Sequence, residues 1–179
     1  MKNSMIKPAS AIVLIMMQSY ITVKAQDFKA EQFVKSASIV LNGNVEKVFP
    51  LFGAMEEKKW SEDWHPIPVF PVSGYMEEGF IFQSPDHVPD SPPLTWVVAK
   101  YDPSTHQVRY IITSTNRVTI ISVDCSKLDG NCTNTEITYS LTGLSEEGNE
   151  ISHHLITKMF NHNLKDWETS LNNYLAKTN

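Results

Sequence analysis

Ser145–Lys177 reads SEEGNEISHHLITKMFNHNLKDWETSLNNYLAK, with no proline and one early glycine, Gly148. Apolar residues recur at Ile151, Leu155, Met159, Leu164, Trp167, Leu171 and Leu175, mostly three or four apart, so they share one helical face. Ser145 suits the N-cap. Glu146, Glu147 and Glu150 place negative charge at the positive end of the helix dipole, and Lys177 places a cation at the other end. At ~1.5 Å per residue such a helix would run about 45 Å. A helix that long at the end of a strand-rich chain needs a sheet to receive its apolar face. What the sheet and helix enclose is the functional question.

The residues upstream supply the sheet. In Phe33–Leu41 the set Phe33, Ala37, Ile39 and Leu41 alternates with Ser36, Ser38 and Val40, which reads as a strand. Asn42-Gly43-Asn44 closes it, and Asn44 can cap a helix beginning at Val45. Pro50 interrupts that helix by removing a donor and crowding the preceding turn, so two short helices are expected, Val45–Phe49 and Leu51–Glu57. Prolines then force Trp60-Ser61-Glu62-Asp63-Trp64-His65-Pro66-Ile67-Pro68 into extended or turn geometry. Strand patterns follow at Val69–Tyr75, Gly79–Gln83, Leu94–Tyr101, His106–Thr113, Arg117–Cys125 and Cys132–Thr142. One α+β domain results, with about seven antiparallel strands and the helices segregated to one side. A chain of 179 residues is long enough for one such core and short for two.

Residues 1–25 stand apart. Lys2 and Lys7 precede the apolar run Ala11–Met17, and Val23-Lys24-Ala25 offers small residues at cleavage spacing, the layout of a secretory signal peptide cut after Ala25. The alternative is an uncleaved membrane anchor, for which the run is short. The folded domain is therefore expected over 26–179, exported to a periplasmic or extracellular space, with no stable membrane insertion of the mature chain. Cleavage removes Lys2, Lys7 and Lys24 and no acid. That leaves 12 basic against 20 acidic side chains, a net charge of −8. Without a basic tract to neutralise phosphates, nucleic acid is excluded as a partner.

Cys125 and Cys132 flank Ser-Lys-Leu-Asp-Gly-Asn between two strand patterns. In an oxidising compartment a cross-hairpin disulfide is expected, worth roughly 2–3 kcal/mol in the chain-entropy model. Two free thiols are the alternative. No further ligands accompany them, so no metal is expected.

Three stretches carry a family resemblance. They are Glu46-Lys47-Val48-Phe49-Pro50-Leu51-Phe52 leading to Lys59-Trp60 with Trp64 and Pro66; Trp96-Val97-Val98 with Tyr101-Asp102-Pro103; and Tyr139 with Leu144-Ser145-Glu146-Glu147-Gly148-Asn149. With the order of elements, they make the chain resemble an uncharacterised subgroup of the START-like or helix-grip superfamily (SRPBCC, polyketide cyclase/dehydrase and lipid-transport). The resemblance implies a curved antiparallel sheet wrapped round the C-terminal helix, with a ligand cavity between them. That superfamily includes binding proteins, transport domains and a few enzymes, so it implies fold more than activity. Subgroup members tend to carry glycine before the second tryptophan and an acid after it. Asp63 and His65 stand there in this chain, so no role for that acid is carried over.

Trp60 and Trp64 are the leading ligand-contact candidates, as pocket lining or a lid. Phe80 and Phe82 share a strand face, as do Val108, Tyr110 and Ile112, and Ile137, Tyr139 and Leu141. With Trp96, and with Met159 from the helix, these give an apolar wall with phenol hydroxyls to orient a ligand. For each of them core packing is the competing role. Among the histidines, His154 and His162 lie eight apart, about 12 Å of helical rise, too far to share an ion. His153 points elsewhere, and His87 and His106 fall in loop-like stretches. His65, beside Glu62 and Asp63, is the one acid–base candidate. Asp124, Glu136, Arg109 and Arg117 read as solvent-facing strand charges. No phosphate-binding glycine loop, nucleophile elbow or metalloprotease motif occurs, and no cofactor is expected.

The expectation is a non-catalytic binding protein for a small hydrophobic or amphipathic molecule. Two other readings stay open: a cyclase-, dehydratase- or hydrolase-like enzyme using His65 or a buried tyrosine, and a protein-interaction module exposing Trp60 and Trp64.

Overall fold

A computed structural model describes residues 28–86 and 90–178. The leader with its cleavage site, and His87, lie outside the described residues. Seven antiparallel strands form one curved sheet: β1 Gln32–Leu41, β2 Ile67–Phe70, β3 Ile81–Ser84, β4 Leu94–Asp102, β5 Gln107–Thr113, β6 Arg117–Leu128 and β7 Cys132–Gly143. Their order across the sheet is β1-β7-β6-β5-β4-β3-β2. β2 to β7 follow one another as hairpin neighbours, and β1 returns to pair with the last strand. Alternation decides which face is buried: Val108, Tyr110 and Ile112 on β5, and Ile137, Tyr139 and Leu141 on β7, all point into the core.

Helix α1 spans Val45–Val48 and is capped by Asn44, whose side chain accepts from the Lys47 amide. Pro50 does not separate two α-helices. It sits in the first turn of a 3-10 segment, Phe49–Phe52, where its missing N–H costs nothing. Gly53 then turns extended, and a second 3-10 turn covers Glu57–Lys59 in place of the expected helix Leu51–Glu57. The strand expected at Val69–Tyr75 is instead Ile67–Phe70. It stops where Pro71 offers no amide to the ladder.

The C-terminal helix is α2 Glu146–Lys158, a π turn at Met159–Asn163, and α3 Leu164–Thr178. Ser145 caps it by accepting from the Gly148 amide at 3.0 Å. The apolar step from Met159 to Leu164 is five residues, and the π turn absorbs that extra residue. Before the turn, the fully buried row is Gly148, Ser152 and Ile156, not the apolar stripe Ile151–Leu155–Met159. That stripe is only half-buried, because the helix does not lie flush on the sheet along its length. After the turn, Leu164, Leu171 and Leu175 are buried as their spacing predicts.

Polar clamps fix the helix along the β1 edge. Glu168 accepts from the Val40 amide at 2.9 Å, and Asn172 accepts from the Asn42 amide at 2.8 Å. Asn172 also donates to the Val40 carbonyl at 3.1 Å. Asn149 accepts from the Glu31 amide and donates to the Lys29 carbonyl, each at 3.0 Å. These contacts satisfy backbone groups that an edge strand would otherwise leave open.

Register rules out the cross-hairpin disulfide. β6 pairs with β7 such that Leu128 faces Cys132 and Cys125 faces Thr135. The two cysteines are thus three positions apart along the ladder, an odd number, and point to opposite faces. Both thiols are free: Cys125 is buried beside the Thr135 hydroxyl at 3.5 Å, and Cys132 is half-exposed. The turn between them is only Asp129-Gly130-Asn131, with positive φ at Gly130 and Asn131, so the strands run further than expected and carry the cysteines out of phase.

Candidate functional site

Between the concave face of the sheet and the helix lies a cavity of about 340 Å³. That volume falls within the range of about 300–1,000 Å³ usual for small-molecule sites. Its position follows from the short segment after α1. The carbonyls at the end of that segment are each taken by an aromatic donor: Trp60 Nε1 to Leu51 O at 2.8 Å, Tyr110 Oη to Phe52 O at 2.6 Å, and Trp64 Nε1 to Ala54 O at 2.6 Å. These bonds close the helical end and hold the segment across the sheet, where it walls one side of the cavity.

One wall is aromatic. Trp96 stacks on Phe82 with ring centres 5.2 Å apart, and Phe82 stacks on Phe80 at 5.4 Å. Trp64 meets Trp96 edge-on at 5.2 Å, and Tyr110 meets it at 5.8 Å. Opposite stands Trp167 of α3, backed edge-on by Trp60 at 5.6 Å. Leu155, Ile156 and Met159 complete the helix side. The exposed lining residues Asp63, His65, Pro85 and Lys158 mark where the cavity meets solvent.

Six of the nine candidate contact residues line the cavity: Trp64, His65, Trp96, Tyr110, Tyr139 and Met159. Phe80 and Phe82 are fully buried and form the second layer behind Trp96. Trp60 is 8 % exposed and supports Trp167 from outside the cavity. His65 sits at the mouth, exposed, not enclosed beside a reacting centre as an acid–base role would need.

Arg117 and Glu57 are among the lining residues that escaped the sequence reading. Arg117, expected on the surface, is 5 % exposed and reaches the buried Asp86 carboxylate at 2.7 and 3.0 Å. Parity explains it, because Arg117 shares its face of β6 with Thr119, Ile121 and Val123. Glu57 is the other. In the run Glu56-Glu57-Lys58-Lys59, Glu56 and Lys59 pair with each other outside, while Glu57 turns into the cavity. It lies three residues before the buried Trp60, a helical spacing that could have placed it on the inner face. The residue as a whole is only half-buried, but desolvation at the cavity wall pushes its carboxyl up to about 8. Burial first, and then the nearby Glu57 charge, holds the Tyr110 and Tyr139 phenols well above their ordinary value.

Among the described residues no cluster of histidine, cysteine or carboxylate side chains could hold a metal ion. No helix among them is long and apolar enough to cross a membrane.

No protein-family model and no curated protein sequence matches the chain. Solved structures do. Norcoclaurine synthase from Thalictrum flavum, in complex with dopamine and hydroxybenzaldehyde, superposes with a TM-score of 0.63 at 8% identity, covering 98% of this chain and 99% of that one. A hypothetical protein from Helicobacter pylori superposes at 0.64 with 12% identity, over 79% of this chain and 87% of that one. The Zhui aromatase/cyclase from Streptomyces sp. R1128 gives 0.60 at 11% identity, over 83% and 97%. Identities this low speak to fold and not to activity. With the strand order, the curved sheet and the C-terminal helix described above, they establish that this chain has the START-like, helix-grip fold.

Proposed function

We propose that this chain is an exported protein that holds a small hydrophobic or amphipathic molecule between its sheet and its C-terminal helix. The observation that carries the reading is the cavity itself: about 340 Å³, walled by Trp64, Trp96, Tyr110, Trp167 and aliphatic side chains, and open at one end. Apolar walls with a few polar groups are what a ligand needs for affinity and orientation respectively. The dopamine and hydroxybenzaldehyde bound by norcoclaurine synthase are aromatic molecules of a size such a cavity admits. Native mass spectrometry of the purified protein, screened against lipids and aromatic metabolites, tests it. Retention of at least one compound is expected, and binding that survives filling the cavity with Met159→Trp would refute it.

A second reading, a cyclase-, dehydratase- or hydrolase-like enzyme in the same cavity, is favoured by one observation: Glu57 lines the apolar cavity, where desolvation pushes its carboxyl up to about 8. Glu57, not the exposed His65, would be its acid–base group. Turnover abolished by Glu57→Gln, with ligand retention unchanged, would single it out. An interaction surface built on Trp60 and Trp64 has no support, because Trp60 is buried and Trp64 is half-buried.

A further inference from the structure

Several strong donors on the cavity wall are already committed. The Tyr110 hydroxyl donates to Phe52 O, Trp64 Nε1 to Ala54 O and Trp96 Nε1 to Ser84 Oγ. Arg117 is engaged by Asp86. The Glu57 carboxyl and the Tyr139 hydroxyl differ: each lines the cavity, and neither has a hydrogen-bond partner among the described residues. They come from separate elements, the 3-10 turn before Trp60 and the middle of β7, and open on the same cavity. Both groups open on the cavity, where a ligand that enters it can supply the missing partner.

We propose that Glu57 and Tyr139 form a two-donor seat for the carbonyl oxygen of an otherwise apolar ligand. This deepens the binding reading above and rests on it. Two O–H donors on the wall of one apolar cavity match an acceptor oxygen with two lone pairs. The surrounding charges keep Glu57 in its donor form. From β5 it faces Tyr110 and from β7 Tyr139, both neutral phenols; from β6 comes Arg117, neutralised by Asp86. The other charged lining groups, Asp63 and His65 from the mouth segment and Lys158 from α2, are exposed. Among the described residues no cation is therefore paired with the carboxyl, and desolvation pushes it up to about 8.

Three naphthalenes of matched size test the seat by calorimetry: 2-acetylnaphthalene, 2-ethylnaphthalene and 1-(2-naphthyl)ethylamine. At pH 6.5 the ketone is expected to bind about tenfold tighter than the hydrocarbon, the worth of one or two net hydrogen bonds. That preference should fade as pH rises through 8. Glu57→Gln, which keeps an N–H donor, should retain the preference and abolish its pH dependence; Tyr139→Phe should weaken it at every pH. Equal binding of ketone and hydrocarbon at pH 6.5 would remove the seat while leaving the binding cavity. Tightest binding by the amine, with no proton taken up or released, would likewise overturn it in favour of an ionised Glu57. Binding of none of the three would remove the ligand-binding reading, and the seat with it.

Discussion

Arg117 Nη2 lies 2.7 Å from Asp86 Oδ1, and the two side chains are 5 % and 1 % exposed. The pair joins the first residue of β6 to the loop that leaves β3, beside the cavity. A buried ion pair repays its desolvation only while both charges are present.

Asp86→Asn, which leaves Arg117 uncompensated, should therefore destabilise the fold by about 3–5 kcal/mol, whereas Arg117→Met combined with Asp86→Leu should recover most of that loss. Urea denaturation of the single and double variants measures both. If the double variant is as unstable as the single one, the pair is a net contributor and not merely a matched cost.

Glu57 should make stability depend on pH in a definite direction. Its carboxyl titrates near 4.5 when free and near 8 when folded, so between those values the folded state holds a proton that the unfolded state has lost. The stabilisation from this group is complete below about pH 4.5, declines as pH rises, and levels off above about 8, with a slope of at most about 1.4 kcal/mol per pH unit. Glu57→Gln should flatten that part of the profile. Thermal melts from pH 5 to 9 are the measurement, and identical slopes in both proteins would show that Glu57 is not the titrating group.

The thiols should differ in reactivity. Burial pushes the Cys125 thiol up to about 11, while Cys132 is half-exposed. Maleimide labelling of the native protein should modify Cys132 alone, and Cys125 should follow only on unfolding. Mass spectrometry of the unreduced protein should find both thiols free.

Gly148 permits a close approach between the first turn of α2 and the β5–β6 loop. A Cβ there would lie 2.0 Å from the Asn116 carbonyl oxygen, which also accepts from the Leu144 amide at 2.7 Å. Despite alanine's better helix propensity, Gly148→Ala should lower stability by about 1–3 kcal/mol, as overpacking does. A rise in melting temperature would mean that the loop yields without strain.

The order of elements was legible in the sequence because it depends on local rules. Period-two alternation gave the inner faces of β5 and β7, Asn44 and Ser145 marked helix starts, and the spacing of Leu164, Leu171 and Leu175 gave the buried face of α3. The same periodicities put Tyr110 and Tyr139 on inward strand faces, while a cavity bordering those faces was implied by the family resemblance. Boundaries near Pro50 and Pro71 were less legible, since proline is compatible with several local geometries.

Only the tertiary structure decided which polar groups lie inside. Arg117 and Asp86 are 31 residues apart, and neither has a local pattern that announces the other. Glu57 looks like one of four solvated charges until Trp60 and the 3-10 turn rotate it into the cavity. Cys125 and Cys132 suited a bridge by separation alone, and a turn of three residues set the register that puts them on opposite faces. The helix face was likewise set by contact, since the sheet decides that Ser152 is covered while Leu155, Ile156 and Met159 border the cavity. Periodicity fixes which side chains share a face; the energy of burying a charge or leaving a gap depends on what stands across from it, and that is non-local.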